Sequence, residues 1–231
     1  MTLADELKSI LLSSGASLVG YADLSRIDPG LRDDLPMGIS IGVALNPDII
    51  AGINNGPTMA YIGEYERANG LLDELGHIAV DLLKKQGHSA KWFAATSAGI
   101  DSRLSTRLPH KTVATRAGLG WIGKCALLVT KQYGSAIRIT SVLTNAVLPT
   151  NDPVNKATCG KCTDCVEACP AQAATGENWR SDLHRDSFFD AFACEKTANE
   201  LAWSKVGIRN TICGRCIVSC PFTQKYIKNS R

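Results

Sequence analysis

Apolar residues recur at helical spacing from Leu3 to Ser13, and the ASLVGYADL stretch that follows reads as a short strand, closed by a turn at Pro29-Gly30. GISIGVAL, Gly38 to Leu45, is a β-rich apolar run too short for an independent helix, and it predicts a central strand followed by a loop around NPDIIAGINNGPT. From Tyr61 to Gln86 the period changes to 3.6 residues. Leu71, Leu72, Leu75, Ile78, Ala79 and Leu82 make one stripe and Gly87 closes it, which predicts the longest helix of the chain. AKWFAAT then reads as a strand, HKTVATRAG as a short helix behind Pro109, and CALLVT and IRITSVLT as two strands with a turn near Tyr133-Gly134. At about Leu148 the pattern breaks: LPTNDPVNKAT brings two prolines and a polar run, so a domain boundary is predicted there, dividing 1–148 from 149–231.

Composition agrees with a folded chain. With 231 residues, 45% hydrophobic and 20% charged, there is material for one full core plus a small appended module. A net charge of +3 from scattered basic residues gives no stripe of the kind a dedicated nucleic-acid binder carries. No apolar run approaches the roughly 20 residues that span a bilayer, and acids interrupt the apolar start, so a cytoplasmic location without membrane partners is expected.

The cysteines change the picture most. Of nine, Cys125 stands apart while eight lie between Cys159 and Cys220. CGKCTDCVEACP places Cys159, Cys162, Cys165 and Cys169 at the x2, x2, x3 spacing of the bacterial ferredoxin run and ends it with Pro170. Three thiolates so close in sequence wrap one face of a 4Fe-4S cubane, and the fourth points to a second cluster. CGRCIVSCP supplies Cys213, Cys216 and Cys220 before Pro221, with Asn210 where a fourth cysteine would stand. Cys194 is then the natural replacement. By this count cluster one takes Cys159, Cys162, Cys165 and Cys220, and cluster two takes Cys169, Cys194, Cys213 and Cys216. Zinc is the alternative for paired C-x2-C units, but the ferredoxin spacing and the Cys-Pro endings favour iron and sulfide. Cys125, with no cysteine near it in sequence, reads as a small buried hydrophobe and not as a ligand.

AGLGWIGKCALLVT, Ala117 to Thr130, contains two near-miss nucleotide motifs. A dinucleotide loop follows a strand and opens a helix, whereas here a helix precedes and a strand follows. The phosphate-loop reading fails on the same order and also on Cys125, which stands where a hard Mg²⁺ needs a hydroxyl.

HKTVATRAGLGWIGKCALLVT, followed by a C-x2-C-x2-C-x3-C-P run, a DAxxC element and a C-x2-C-x3-C-P run, resembles the epoxyqueuosine reductases and their shorter iron-sulfur relatives over nearly the whole chain. The resemblance implies an α+β chain: a nitroreductase-like α/β N-terminal domain that binds cobalamin, then a two-cluster bacterial ferredoxin-like module that delivers electrons to the cobalt. It implies that Gly118, Gly120, Trp121, Gly123 and Lys124 line the cofactor cavity. Reductive dehalogenases are similar in plan. Two departures matter. The chain ends eleven residues after Cys220, without the helical-repeat region of the tRNA enzymes, so tRNA is the weakest of the expected partners. Where the family places its proton-donating Asp this chain has Leu104, with Asp101 offset nearby, and His110 stands where the family has Glu. Asp101 and His110 are therefore the catalytic candidates, His110 being read as an exposed residue of the first turn after Pro109 unless it serves as proton donor. Lys111 and Lys124 read as solvated, and Arg103, Arg107 and Arg116 as surface residues or a basic rim for an anion. The expected function is reduction of a small substrate with electrons from a low-potential donor such as ferredoxin or flavodoxin; the alternative is a non-catalytic electron-transfer protein serving a partner metallo- or corrinoid enzyme.

Overall fold

The computed structural model describes residues 2–96 and 101–230. In chain order the elements are helix α1 (Leu3–Ser13), strands β1 (Leu18–Asp23) and β2 (Met37–Ala44), helices α2 (Pro47–Ala51) and α3 (Met59–Lys85), strand β3 (Ala90–Phe93) and helix α4 (His110–Arg116). Short strands β4 (Trp121–Ile122) and β5 (Leu128–Val129) follow, then β6 (Ile137–Thr144) and helices α5 (Asp164–Glu167), α6 (Ala191–Val206), α7 (Arg215–Val218) and α8 (Pro221–Asn229). Two compact units form, and neither is a continuous stretch of chain: Met1–Ala44, Arg67–Leu119 and Arg138–Val154 make the first, and Leu45–Glu66, Gly120–Ile137 and Asn155–Arg231 the second. The second unit thus draws two segments from the residues before Leu148.

The first unit holds most of a four-stranded sheet of order β1-β2-β6-β3, with β1 antiparallel to β2 and β3 antiparallel to β6. β2 lies inside the sheet and is buried along nearly its whole length, which is why GISIGVAL reads as a continuous apolar run. α1 starts with a capping box between Thr2 and Asp5 and is tied to β1 by the Tyr21 hydroxyl, which donates to Ala4 O at 2.6 Å. α4 approaches β1 and β2 closely because both strands carry glycine beneath it. A Cβ on Gly38 would lie 2.8 Å from Val113 Cγ1, and one on Gly20 3.0 Å from Ala117 O. Ala22, Leu24, Val113, Ala117 and Leu143 form the apolar cluster under that helix.

α3 keeps the expected stripe, but turned by a few tens of degrees. Leu72, Leu75, Ala79 and Leu83 are fully buried, whereas Leu71, Ile78 and Leu82 sit at its margin. The stretch CALLVT is shorter as a strand than its composition suggests. Ala126 takes a left-handed backbone with φ 58°, its N–H donates to Gly123 O, and pairing begins only at Leu128, so Cys125 sits in the turn of the β4–β5 hairpin.

The second unit is built on short helices and turns. α8 opens with Pro221 directly after Cys220, and the Tyr226 hydroxyl donates to Leu45 O at 3.0 Å. Gly134, at φ 58°, brings its backbone against Thr223, where a Cβ would lie 2.2 Å from Thr223 N. α6 is capped by Asp190, whose side chain accepts from Ala193 N, and ends at Gly207 with φ 72°. No helix among the described residues is long and apolar enough to cross a membrane.

Candidate iron-sulfur centre

All nine cysteines are free thiols in this structure. Cys169, Cys194, Cys213 and Cys216 line one cavity, whose wall also includes Pro170, Ala174 and Phe189. α5 leads the chain to Cys169, α6 presents Cys194 one turn from its start, and α7 carries Cys216. Cys194 is pushed up to about 11 by burial and by the neighbouring Cys169 and Cys213. Cys220 is raised first by burial and then by Cys159 and Cys165 beside it, against hydrogen bonds from the Thr223 and Phe222 backbone that lower it. Burial likewise raises Cys162, with Cys165 adding to the effect. The thiols therefore gather as two groups, with Cys159, Cys162, Cys165 and Cys220 in one.

Backbone amides point at several of these sulfurs. Ala173 N donates to Cys169 Sγ at 3.4 Å, and Asp164 N and Arg215 N donate to Cys162 and Cys213. Such N–H groups stabilise thiolate charge, as a cluster ligand requires. Among the described residues, no three or more His, Cys, Asp or Glu side chains are placed to hold a single metal ion. The ferredoxin spacing of these cysteines and their Cys-Pro endings fit a cubane better than a tetrahedral zinc.

Cys125 departs from its sequence reading. It is buried, as a small hydrophobe would be, yet it lines the same cavity as the second group, and its pKa responds to Cys165 and Cys216. Cys165 lowers it and Cys216 raises it; burial adds to the second, and the thiol ends well above its ordinary value. Nothing along the chain marks this neighbourhood, because Cys125 is 40 residues from Cys165 and 91 from Cys216.

The glycine segment is also used differently from what the family resemblance implies. Gly118 belongs to the first unit, whereas Gly120, Trp121, Gly123 and Lys124 belong to the second. At each glycine the space of a Cβ is filled by the chain itself: Asp152 O at 2.9 Å from Gly118, Val129 O at 2.2 Å from Gly120 and Val129 Cγ2 at 2.8 Å from Gly123. Trp121 is 3% exposed, stands edge-on to Phe222 at 5.1 Å, and donates its indole N–H to Cys159 Sγ at 3.3 Å. Lys124 is 4% exposed and so is not the solvated lysine expected. The close approaches are to backbone at Gly118 and Gly120, to the Val129 side chain at Gly123, and to Phe222 and the Cys159 sulfur at Trp121.

His110 and Asp101 both have structural partners. His110 opens α4, partly buried, with Nδ1 3.0 Å from Ser141 Oγ and Nε2 3.0 Å from Ala94 O. The carbonyl can only accept, so Nε2 carries the hydrogen and the Ser141 hydroxyl donates to Nδ1. Burial lowers its pKa, so the ring is not the exposed histidine of the sequence reading. Asp101 lies in an exposed turn, its carboxylate accepting from Arg103 N and Ser105 N at 2.9 Å each, with Leu104 left-handed at φ 56° inside that turn. Of the basic residues, Arg107 pairs with Asp33, which Lys91 also engages, and Arg116 donates to Val154 O at 2.6 Å.

This donor set, with its spacing, defines an iron-sulfur protein: residues 158–223 match the 4Fe-4S double cluster binding domain family. Over 154 residues the chain is 31% identical to the epoxyqueuosine reductase of Gloeobacter violaceus, covering 65% of this chain and 44% of that protein. Among solved structures, an epoxyqueuosine reductase with a tRNA-Tyr epoxyqueuosine-modified stem loop superposes with a TM-score of 0.65 at 20% identity, over 96% of this chain and 65% of that one. A reductive dehalogenase described as suggesting a mechanism for B12-dependent dehalogenation gives a TM-score of 0.72 at 14% identity, over 97% and 33% of the two chains. The chain is thus similar to the epoxyqueuosine reductases, matches a 4Fe-4S double cluster domain and shares a mixed helix-and-sheet fold with both groups, and it spans less than half the length of the curated reductases it matches.

Proposed function

We propose that the chain is an iron-sulfur oxidoreductase that takes electrons from a low-potential donor, of the ferredoxin or flavodoxin kind, and passes them through two 4Fe-4S clusters to an acceptor. Cys159, Cys162, Cys165 and Cys220 hold cluster one; Cys169, Cys194, Cys213 and Cys216 hold cluster two. The observation that carries this reading is the cavity that brings together Cys169, Cys194, Cys213 and Cys216 from three separate segments, with Cys125 also on its wall. Four thiolates close each cubane, and the crossing of Cys169 and Cys220 between motifs ties the two together.

Cobalamin is the acceptor that the likeness of fold to a B12-associated dehalogenase suggests, held by a nitroreductase-like first unit, with a small molecule as final substrate. The glycine segment packs closely on the protein's own atoms, and the His110 ring and the Asp101 carboxylate each hold hydrogen bonds within the chain. These observations favour the second reading, in which the clusters relay electrons to a partner protein. Anaerobic purification with iron, sulfide and cobalamin analysis, then titration with cobalamin under dithionite, separates the two. Stoichiometric binding with the Co(I) spectrum assigns the acceptor. Full cluster content without binding leaves the relay. A chain that takes up zinc and no iron overturns both.

A further inference from the structure

The turn of the β4–β5 hairpin touches both groups of cysteines. Trp121 aims its indole N–H at Cys159 Sγ, 3.3 Å away, from a buried position fixed by Phe222. Four residues on, Cys125 is buried and lines the cavity of the second group beside Cys216. The glycines between and before them allow this: Gly120 sits under Val129 O, and Gly123 under Val129 Cγ2, so the turn is pinned tightly enough to aim both side chains. Hydrogen bonds to ligand sulfur are among the factors that set the potential of a 4Fe-4S cluster, because they stabilise the more negative, reduced form.

We infer that the GWIGKC turn is a redox-setting element, in which Trp121 donates to the Cys159 sulfur of cluster one and Cys125 donates its thiol hydrogen to the Cys216 sulfur of cluster two. This rests on the ligand assignment proposed above. Both residues are positioning residues, since each acts on the iron through a cysteine ligand. Each donor makes the cluster whose sulfur it meets easier to reduce, Trp121 cluster one and Cys125 cluster two.

Redox titration monitored by EPR on the holoprotein tests this, alongside iron and sulfide analysis of every variant. Trp121→Phe keeps the ring against Phe222 and removes the donor; the midpoint of one cluster moves to more negative potential and the other stays. Cys125→Ala moves the cluster-two midpoint negative, and Cys125→Ser, which keeps a donor, brings it back toward the parent. Midpoints unmoved in both Trp121→Phe and Cys125→Ala, with both clusters retained, overturn the inference. So does loss of iron in Cys125→Ala, which would make Cys125 a ligand. A parent chain that fails to assemble two clusters is a different result: it removes the ligand assignment itself. Should Trp121→Phe not fold, the Ala and Ser pair at Cys125 still decides the matter.

Discussion

Helix α3 carries three glycines, at Gly63, Gly70 and Gly76, and replacing each with alanine makes the same change in intrinsic helix preference, about 1 kcal/mol in favour of the helix. What the new methyl group meets differs. At Gly63 and Gly70 nothing lies within 4 Å of the point where a Cβ would stand, and both residues are exposed. At Gly76 the Cβ would be 2.0 Å from Trp92 Cδ1 and 2.3 Å from Trp92 Nε1, about 1.4 Å short of ordinary contact. The indole cannot retreat freely, because it rests against His77 with ring centroids 4.4 Å apart. Overpacking of this size costs about 3 kcal/mol, the upper end of the usual range, so Gly76→Ala is destabilising by about 2 kcal/mol after the helix gain. For a chain of this length that lowers the apparent Tm by about 4 to 8 °C, while Gly63→Ala and Gly70→Ala each raise it by about 2 to 4 °C. Far-UV circular dichroism under anaerobic conditions, at one fixed scan rate because cluster loss makes unfolding irreversible, reads all three. In a Trp92→Leu background the clash is gone and Gly76→Ala becomes stabilising. A Gly76→Ala variant as stable as the parent, or a sign that does not reverse with Trp92→Leu, would refute the close approach.

On the proposed assignment Cys194→Ser removes one ligand of cluster two and iron content falls to about half of the parent value; unchanged iron and EPR spectra would mean that Cys194 is no ligand. Gly120→Ala forces Val129 O away from β4, opening the hairpin by roughly 1 Å and costing about 1 to 3 kcal/mol, with the Trp121 to Cys159 hydrogen bond lost and the cluster-one EPR signal altered; a variant with parental Tm and spectra counts against the packing argument. Because burial lowers the His110 pKa below its unfolded value of 6.5, the folded chain binds fewer protons there, so its contribution is complete above that value and is lost as pH falls through the lowered folded-state pKa. Thermal unfolding between about pH 8 and about pH 5.5 then shows a steeper acid-side fall for the parent than for His110→Gln; parallel curves would place the histidine in water.

Much of the sheet was legible. β2 coincides with its apolar run, since a strand buried on both faces needs apolar residues at nearly every position, and α3 appears with both ends within two residues. The α3 core face was misplaced by one leucine, Leu83 for Leu82, because helical periodicity fixes the width of a stripe better than its centre. The hairpin around Cys125 was hidden by composition: CALLVT is strand-like in content, and only a left-handed Ala126 interrupts it. His110 and Lys124 read as solvated because a charged or titratable residue in a loop carries no local mark of burial.

The sequence alone determined the cluster chemistry. Spacing of thiols along the backbone is a covalent property, and C-x2-C-x2-C-x3-C-P constrains what those sulfurs can enclose before anything else folds. Tertiary structure decided what surrounds them. Cys194 lines the cavity of the second motif, Trp121 donates to Cys159, and Cys125 stands with Cys165 and Cys216, because chain segments tens of residues apart are packed into one unit. No local pattern encodes those meetings; they follow from which apolar surfaces the folded chain buries together.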